Sequence, residues 1–151
     1  MVRYFWLALA LSVLPLAPAQ AASPAGVPKA AGPKAPVLKT GEPLNIGFVL
    51  YTLSDKPGVL NARWNYGNAY SGPGVATGGP AAGGFAGRYH VRYFLENGQF
   101  SDEYDLEILK HAPGDFYDVT WIADGKVSAR GVGMEVAGGK SLAVGWRRVV
   151  D

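Results

Sequence analysis

Few side chains in this sequence could carry acid–base, nucleophilic or metal chemistry, and their spacing works against most of it. There are two histidines, His90 and His111, and no cysteine. A hydrolytic triad needs a nucleophile, a histidine and an acid that orients it. His90 lies in the alternating run "GRYHVRYF" at 87–94, on the side it shares with Arg88 and Arg92, and His111 precedes the turn Ala112-Pro113-Gly114. Neither position suits a catalytic base. Zinc takes three or four His, Cys or carboxylate ligands, which two separated histidines without a thiol do not supply. The acidic string "SDEYDLE" at 101–107 lacks the glycine and ligand spacing of a calcium-binding loop. The two carboxylates of a glycosidase can come from anywhere in a chain, but nothing here marks a pair. "GGPAAGG" at 78–84 is followed by neither a helix nor Lys-Ser/Thr, so it is a poor phosphate cradle and reads as a flexible loop at a barrel mouth. The expectation is a protein that is not an enzyme and uses neither metal nor cofactor.

What remains is an aromatic set at alternating positions: Trp64, Tyr66, Tyr89, Tyr93, Tyr117, Trp121 and Trp146. A few polar groups among aromatic walls are how apolar pockets orient a small molecule. The candidate ligand-binding residues are therefore Trp64, Tyr89, Tyr117, Trp121, Glu135 and Trp146, with Asn61 or Arg63 as further contacts near a rim. The ligand they suit is small and apolar or aromatic.

These residues must be positioned by strands. After residue 44 glycine recurs too often for helices, and β-branched and aromatic residues fill the runs between turns. Eight runs stand out, at 44–52, 58–66, 69–77, 85–94, 104–110, 116–122, 126–136 and 140–150. The connections are short enough to force antiparallel neighbours. The fold expected is an all-β up-and-down meander of about eight strands, closed into a small barrel that hides its edges. An eight-stranded barrel is just wide enough to be filled by side chains or to hold one small molecule.

Register can be argued at three hairpins. A three-residue loop Ala123-Asp124-Gly125 places Tyr117, Val119 and Trp121 against Val127, Ala129 and Gly131, with Asp118 beside Arg130 and Thr120 beside Ser128 outside. A two-residue loop would instead pair Ala123 with Lys126 and set Arg130 among the aromatics, so the longer loop is preferred. A two-residue turn at Gly138-Gly139 pairs Glu135 with Leu142, Gly133 with Val144 and Gly131 with Trp146, all inward. The glycines then make room inside a narrow barrel. Val132, Met134, Ala143 and Gly145 form an apolar outer strip that suits a protein partner. In the third hairpin Tyr89, Val91 and Tyr93 face inward with Tyr104, Leu106 and Ile108, leaving Arg88, His90 and Arg92 opposite Asp105 and Glu107. An internal repeat is also readable, since "ARWNYGNAYSGPGVATGG" at 62–79 follows the order of "VTWIADGKVSARGVGMEVAGG" at 119–139. Phe85 and Tyr89 would then continue the first copy as Leu142 and Trp146 continue the second.

The flanks set the compartment. Residues 1–21 carry Arg3, an apolar stretch from Tyr4 to Leu16 and small residues at Ala19 and Ala21, the layout of a signal peptide cleaved after Ala21. Residues 22–43 are rich in proline, alanine and lysine and read as an extended, flexible linker, leaving 44–151 as the barrel domain. Periplasmic or secreted localisation follows, with no membrane span once the leader is removed. From Leu44 onward 10 Lys and Arg face 11 Asp and Glu, so the overall pI of 8.9 reflects the flanks. No basic face for nucleic acid is expected. An outer-membrane barrel is disfavoured by the charges on the outer face of 87–110.

The stretch Tyr117–Trp146, "YDVTWIADGKVSARGVGMEVAGGKSLAVGW", resembles the pattern Y-x-V-x-W, turn, G-V-G, turn, L-A-V-G-W of a group of secreted bacterial proteins of unassigned function. "GRYHVRYF" matches less distinctly. The resemblance implies an exported barrel and transfers no functional residue. In architecture the chain also looks like the calycin barrels, the lipocalins and avidins, although it lacks the lipocalin G-x-W start and the polar ligand residues of avidins. Likeness of fold does not carry function. Two functions follow: a non-catalytic barrel with a ligand in its aromatic interior, or a protein-interaction module such as an inhibitor of a secreted or cell-wall enzyme.

Overall fold

The computed structural model describes residues 44–150, so the expected signal peptide and linker lie outside the described residues. Eight strands follow one another: β1 Gly47–Leu53, β2 Leu60–Tyr66, β3 Tyr70–Thr77, β4 Gly87–Phe94, β5 Phe100–Lys110, β6 Phe116–Ala123, β7 Lys126–Val136 and β8 Ser141–Arg148. Each pairs antiparallel with its chain neighbours, and β1 pairs with β8 from Gly47↔Trp146 to Thr52↔Ser141. The meander is thus a closed barrel, in which every strand has a partner on both sides. No helix of the described residues is long and apolar enough to cross a membrane.

The period of two does most of the positioning. Along β4 and β5, Tyr89, Val91, Tyr93, Leu106 and Ile108 are buried, while Arg88, His90 and Arg92 stand opposite Glu107, Asp105 and Glu103 on the outer face. This is the arrangement expected. The β7–β8 pairing also holds residue for residue, Gly131↔Trp146, Gly133↔Val144 and Glu135↔Leu142, although the turn spans four residues, 137–140, rather than two.

The β6–β7 register differs from expectation. Asp124 and Gly125 both have positive φ, 50° and 73°, and make a two-residue turn that pairs Ala123 with Lys126. Ser128 then bulges out of the ladder, so that Trp121 meets Ala129, Val119 meets Gly131 and Tyr117 meets Gly133. The bulge restores the parity that the short turn would have reversed. From Ala129 onward the inward face is the expected one, but Val127, expected inward against Trp121, pairs with Ile122 on the other face, and the pairing is displaced by two residues: Asp118 lies opposite Val132 and Thr120 opposite Arg130. Several boundaries also move: β1 begins at Gly47 rather than 44, β2 at Leu60 rather than 58, β5 at Phe100 rather than 104, β8 ends at Arg148 rather than 150, and Phe85 precedes β4 instead of belonging to it.

The barrel has two unlike ends. At the end formed by the loops after β1, β3, β5 and β7, Phe85 folds over Tyr117, with rings 6.5 Å apart and nearly perpendicular, and both residues are buried together with Tyr89 and Leu142. The loop 78–84 belongs to this filled end: a Cβ on Gly79 would lie 1.9 Å from the Tyr89 ring. The expectation that this loop frames an open mouth is therefore corrected, because the ring of Phe85 seals the lumen there.

Candidate functional site at the aromatic mouth

The opposite end is open. Each strand carries its inward column past the core to the rim: Trp64 and Tyr66 on β2, Tyr93 on β4, Tyr104 and Asp102 on β5, Trp121 and Ala129 on the β6–β7 hairpin, and Trp146 and Arg148 on β8. Together with Tyr70 and Val49 they enclose a cavity of about 260 Å³ with a predominantly apolar lining. Both bulges of the barrel fall at this end, and the unpaired residue is a serine in each, Ser101 on β5 and Ser128 on β7. Bulges at barrel rims re-aim side chains, and these two bring hydroxyls to the lining of the mouth. Ser101 Oγ donates to Asp102 Oδ2 at 2.7 Å, and the Ser128 carbonyl released from the ladder accepts from Val149 N at 2.9 Å.

Glycine sets the wall shape. Trp146 lies flat on Gly47, where an added Cβ would sit 2.3 Å from the indole, and its ring stacks on Tyr66 at 5.3 Å and 17°. The Arg148 guanidinium lies 4.9 Å from the Tyr66 ring centre. On the other side β3 separates from β4 beyond Gly74↔Tyr93, and the Trp64 indole N–H bridges the gap to Phe94 O at 3.1 Å and Pro73 O at 3.2 Å. Trp64 therefore presents only its ring to the cavity.

The floor is polar in one place. Trp121 Nε1–H donates to the Tyr93 hydroxyl at 2.8 Å, and the Tyr51 and Tyr93 hydroxyls lie 2.6 Å apart. Burial, then the neighbouring phenol, holds the Tyr51 pKa well above the ordinary range; burial does the same for Tyr93 against the opposing pull of its hydrogen bonds. Tyr104 is raised by burial and by the Asp102 charge. The floor is thus a neutral cluster of donors.

The candidate residues are divided between the two ends. Trp64, Trp121 and Trp146 come together at the mouth, with the Trp121 and Trp146 ring centres 6.0 Å apart. Tyr89, Tyr117 and Glu135 lie at the filled end. There Tyr89 donates to Phe85 O at 3.1 Å, and Tyr117 donates to the Glu135 carboxylate, which Lys110 Nζ approaches at 3.7 Å. Asn61 and Arg63 are not rim contacts: the column Leu60, Ala62, Trp64 faces inward, so both point outside, where Arg63 pairs with Glu96 at 2.5 Å. His90 stands 3.5 Å from both Glu103 and Asp105 on the outer face, and His111 Nε2 contacts Asp118 at 2.6 Å. Tyr51, Tyr70, Tyr104, Asp102, Arg148 and the two bulge serines were not among the expected site residues. Following the same alternation two residues further along β5 and β8 reaches Asp102 and Arg148.

The internal repeat has a geometric counterpart. Trp64 faces Gly72 and Gly74 faces Tyr93, as Trp121 faces Ala129 and Gly131 faces Trp146. The counterpart of Trp146 is therefore Tyr93 rather than Tyr89, one step of four residues along the chain. Each tryptophan packs on the aromatic two strands away, Trp64 on Tyr93 at 5.8 Å and Trp121 on Trp146 at 6.0 Å. Comparison with known protein families, curated proteins and solved structures yields no match, so the architecture stands on its own geometry.

Proposed function

We propose that this chain is a non-catalytic binding protein, exported to the periplasm or the medium, whose barrel mouth takes up one small, partly apolar ligand. The observation that carries the reading is the cavity of about 260 Å³ walled by Trp64, Trp121, Trp146 and tyrosines at one end of an otherwise filled barrel. Apolar pockets with a few convergent polar groups are the usual form of a small-molecule site. The leader-like residues 1–21 support export. The test is a titration of the protein with tetralin, a flat apolar bicycle, read by tryptophan emission and by the indole N–H resonances. Trp121→Ala or Trp146→Ala should abolish the response, and Ala81→Ser at the filled end should leave it intact. A saturable response unchanged by either tryptophan substitution would refute the mouth as the site.

One observation favours a second reading, a protein-interaction module. Phe48, Gly145 and Val132 form one row across the outer face of β1, β8 and β7, and Leu50, Ala143, Met134 and Phe116 form the next. Phe48, Phe116, Val132 and Met134 are each more than half exposed. A contiguous exposed apolar patch is the common mark of a protein contact. Val132→Asp with Met134→Lys should then abolish capture of a stoichiometric secreted enzyme while leaving the tetralin response unchanged.

A further inference from the structure

The floor cluster holds one more hydrogen than it uses. Trp121 Nε1, the Tyr51 hydroxyl and the Tyr93 hydroxyl each carry a donor hydrogen, and they are joined by two contacts, at 2.8 and 2.6 Å. The Tyr51 hydroxyl is wholly buried, and the Tyr93 oxygen is the acceptor it meets, since the neighbouring Trp121 indole N–H can only donate. A buried hydroxyl hydrogen without an acceptor is costly, so Tyr51 is the donor of that pair. The Tyr93 oxygen then accepts from both Tyr51 and Trp121, and its own hydrogen has no acceptor among the described residues. Tyr93 lines the cavity and Tyr51 does not. The Trp64 and Trp121 indole hydrogens are already committed to the wall and the floor. Tyr93 is therefore an uncommitted donor among the cavity-lining residues, the one held in the buried cluster with Tyr51 and Trp121, and the charged groups, Asp102 and Arg148, stay at the rim.

We propose that the mouth selects flat, ring-bearing ligands that carry an acceptor oxygen, a ketone or related carbonyl, inserted oxygen-first onto the Tyr93 hydroxyl. This rests on the ligand-binding reading above. A carbonyl accepts without donating, so it completes the floor. An ammonium, the form an alkyl amine takes near neutral pH, would set donor against donor, and a plain hydrocarbon would leave the Tyr93 hydrogen unpaired. Tyr93 is on this account the specificity-determining residue, and the tryptophans supply shape and apolar contact.

Three probes of one shape test this: 1-tetralone, tetralin and 1-aminotetralin, titrated calorimetrically into the protein. The expected result is 1-tetralone binding about tenfold tighter than tetralin, the ratio a single net hydrogen bond supplies, with 1-aminotetralin no tighter than tetralin. Tyr93→Phe should bring 1-tetralone and tetralin together, whereas Tyr51→Phe, which leaves Tyr93 free to donate, should keep the preference. In the wild type the ketone stretching band should move to lower frequency on binding, a readout that does not depend on any variant folding. Equal binding of 1-tetralone and tetralin, an unmoved band, or a preference that survives Tyr93→Phe overturns the acceptor inference and leaves the pocket reading standing. No binding of either overturns both.

Discussion

The indole N–H of Trp121 on β6 donates to the hydroxyl of Tyr93 on β4 at 2.8 Å, joining two non-adjacent strands across the lumen. Tyr51 on β1 meets the same oxygen from another side. Buried hydrogen bonds hold a core to one arrangement, and this cluster, with its one spare hydrogen on Tyr93, lies between a filled half and an open half of the barrel. Trp121→Phe removes the donor and part of the ring. It should destabilise the protein by about 1–3 kcal/mol, read as a lower denaturant midpoint. The Trp121 indole hydrogen in the wild type should exchange slowly with solvent.

Tyr51→Phe tests the hydroxyl alone. Its bond to Tyr93 is buried, so its loss should cost about 0.5–1.5 kcal/mol, while the Trp121–Tyr93 bond survives. A midpoint unchanged from wild type would show that the hydroxyl pair contributes nothing net.

High pH should act through the same pair. The native pKa values of Tyr51 and Tyr93 lie above the ordinary value, chiefly through burial. Above about pH 10 a tyrosine in the unfolded chain loses its proton while the native pair keeps its own. The unfolded state then binds fewer protons, so stability falls with rising pH, and the contribution is whole only below about pH 10. Tyrosinate absorbance from this pair should rise together with the loss of near-ultraviolet circular dichroism. Ionisation of both phenols in a still-folded barrel would contradict the burial argument.

The wall glycines give a graded series. A Cβ on Gly72 would lie 1.9 Å from the Phe94 carbonyl oxygen, which is backbone, and one on Gly47 would lie 2.3 Å from the Trp146 ring. Gly145 has nothing closer than 3.9 Å, at Phe48. Gly72→Ala and Gly47→Ala should each destabilise by about 1–3 kcal/mol, as overpacking does, whereas Gly145→Ala should stay within about 0.5 kcal/mol. Gly47→Ala should also weaken tetralin binding, since it displaces Trp146; thermal melts and titration of the three variants check the order.

Arg63→Ala separates the outer wall from the mouth. Arg63 and Glu96 form an exposed ion pair, and the hydrogen bonds between them, then their charges, favour the ionised form of each. Salt screens such pairs, so the variant should differ from wild type less at high salt than at low salt. Its tetralin affinity should be unchanged, because the guanidinium points away from the lumen.

Much of this molecule was legible from alternation alone. "GRYHVRYF" and "YDLEILK" place charge on one face and bulk on the other, so a single register satisfies both. β1 was not legible in this way. Val49 and Tyr51 on one side and Phe48 and Leu50 on the other are equally apolar, so Tyr51, the deepest of the aromatics, went unrecognised. The β6–β7 pairing was missed because a short turn followed by a bulge keeps the same parity as a longer turn without one. Period-two reasoning sees only parity.

The sequence by itself determined the eight strands, their antiparallel order and which residues of most strands face inward, because a pleated chain alternates and short turns permit little else. Which end of the barrel is open was decided by the tertiary structure. That choice depends on Phe85 folding back over Tyr117, on Gly72 and Gly47 admitting Phe94 and Trp146, and on bulges at Ser101 and Ser128 turning hydroxyls to the rim. The packing of Phe85 on Tyr117, of Phe94 on Gly72 and of Trp146 on Gly47 joins positions far apart in the chain, and no local pattern encodes which of two equally aromatic ends will fill. Hence Trp64, Trp121 and Trp146 share a cavity while Tyr89, Tyr117 and Glu135, alike in alternation, close the other end.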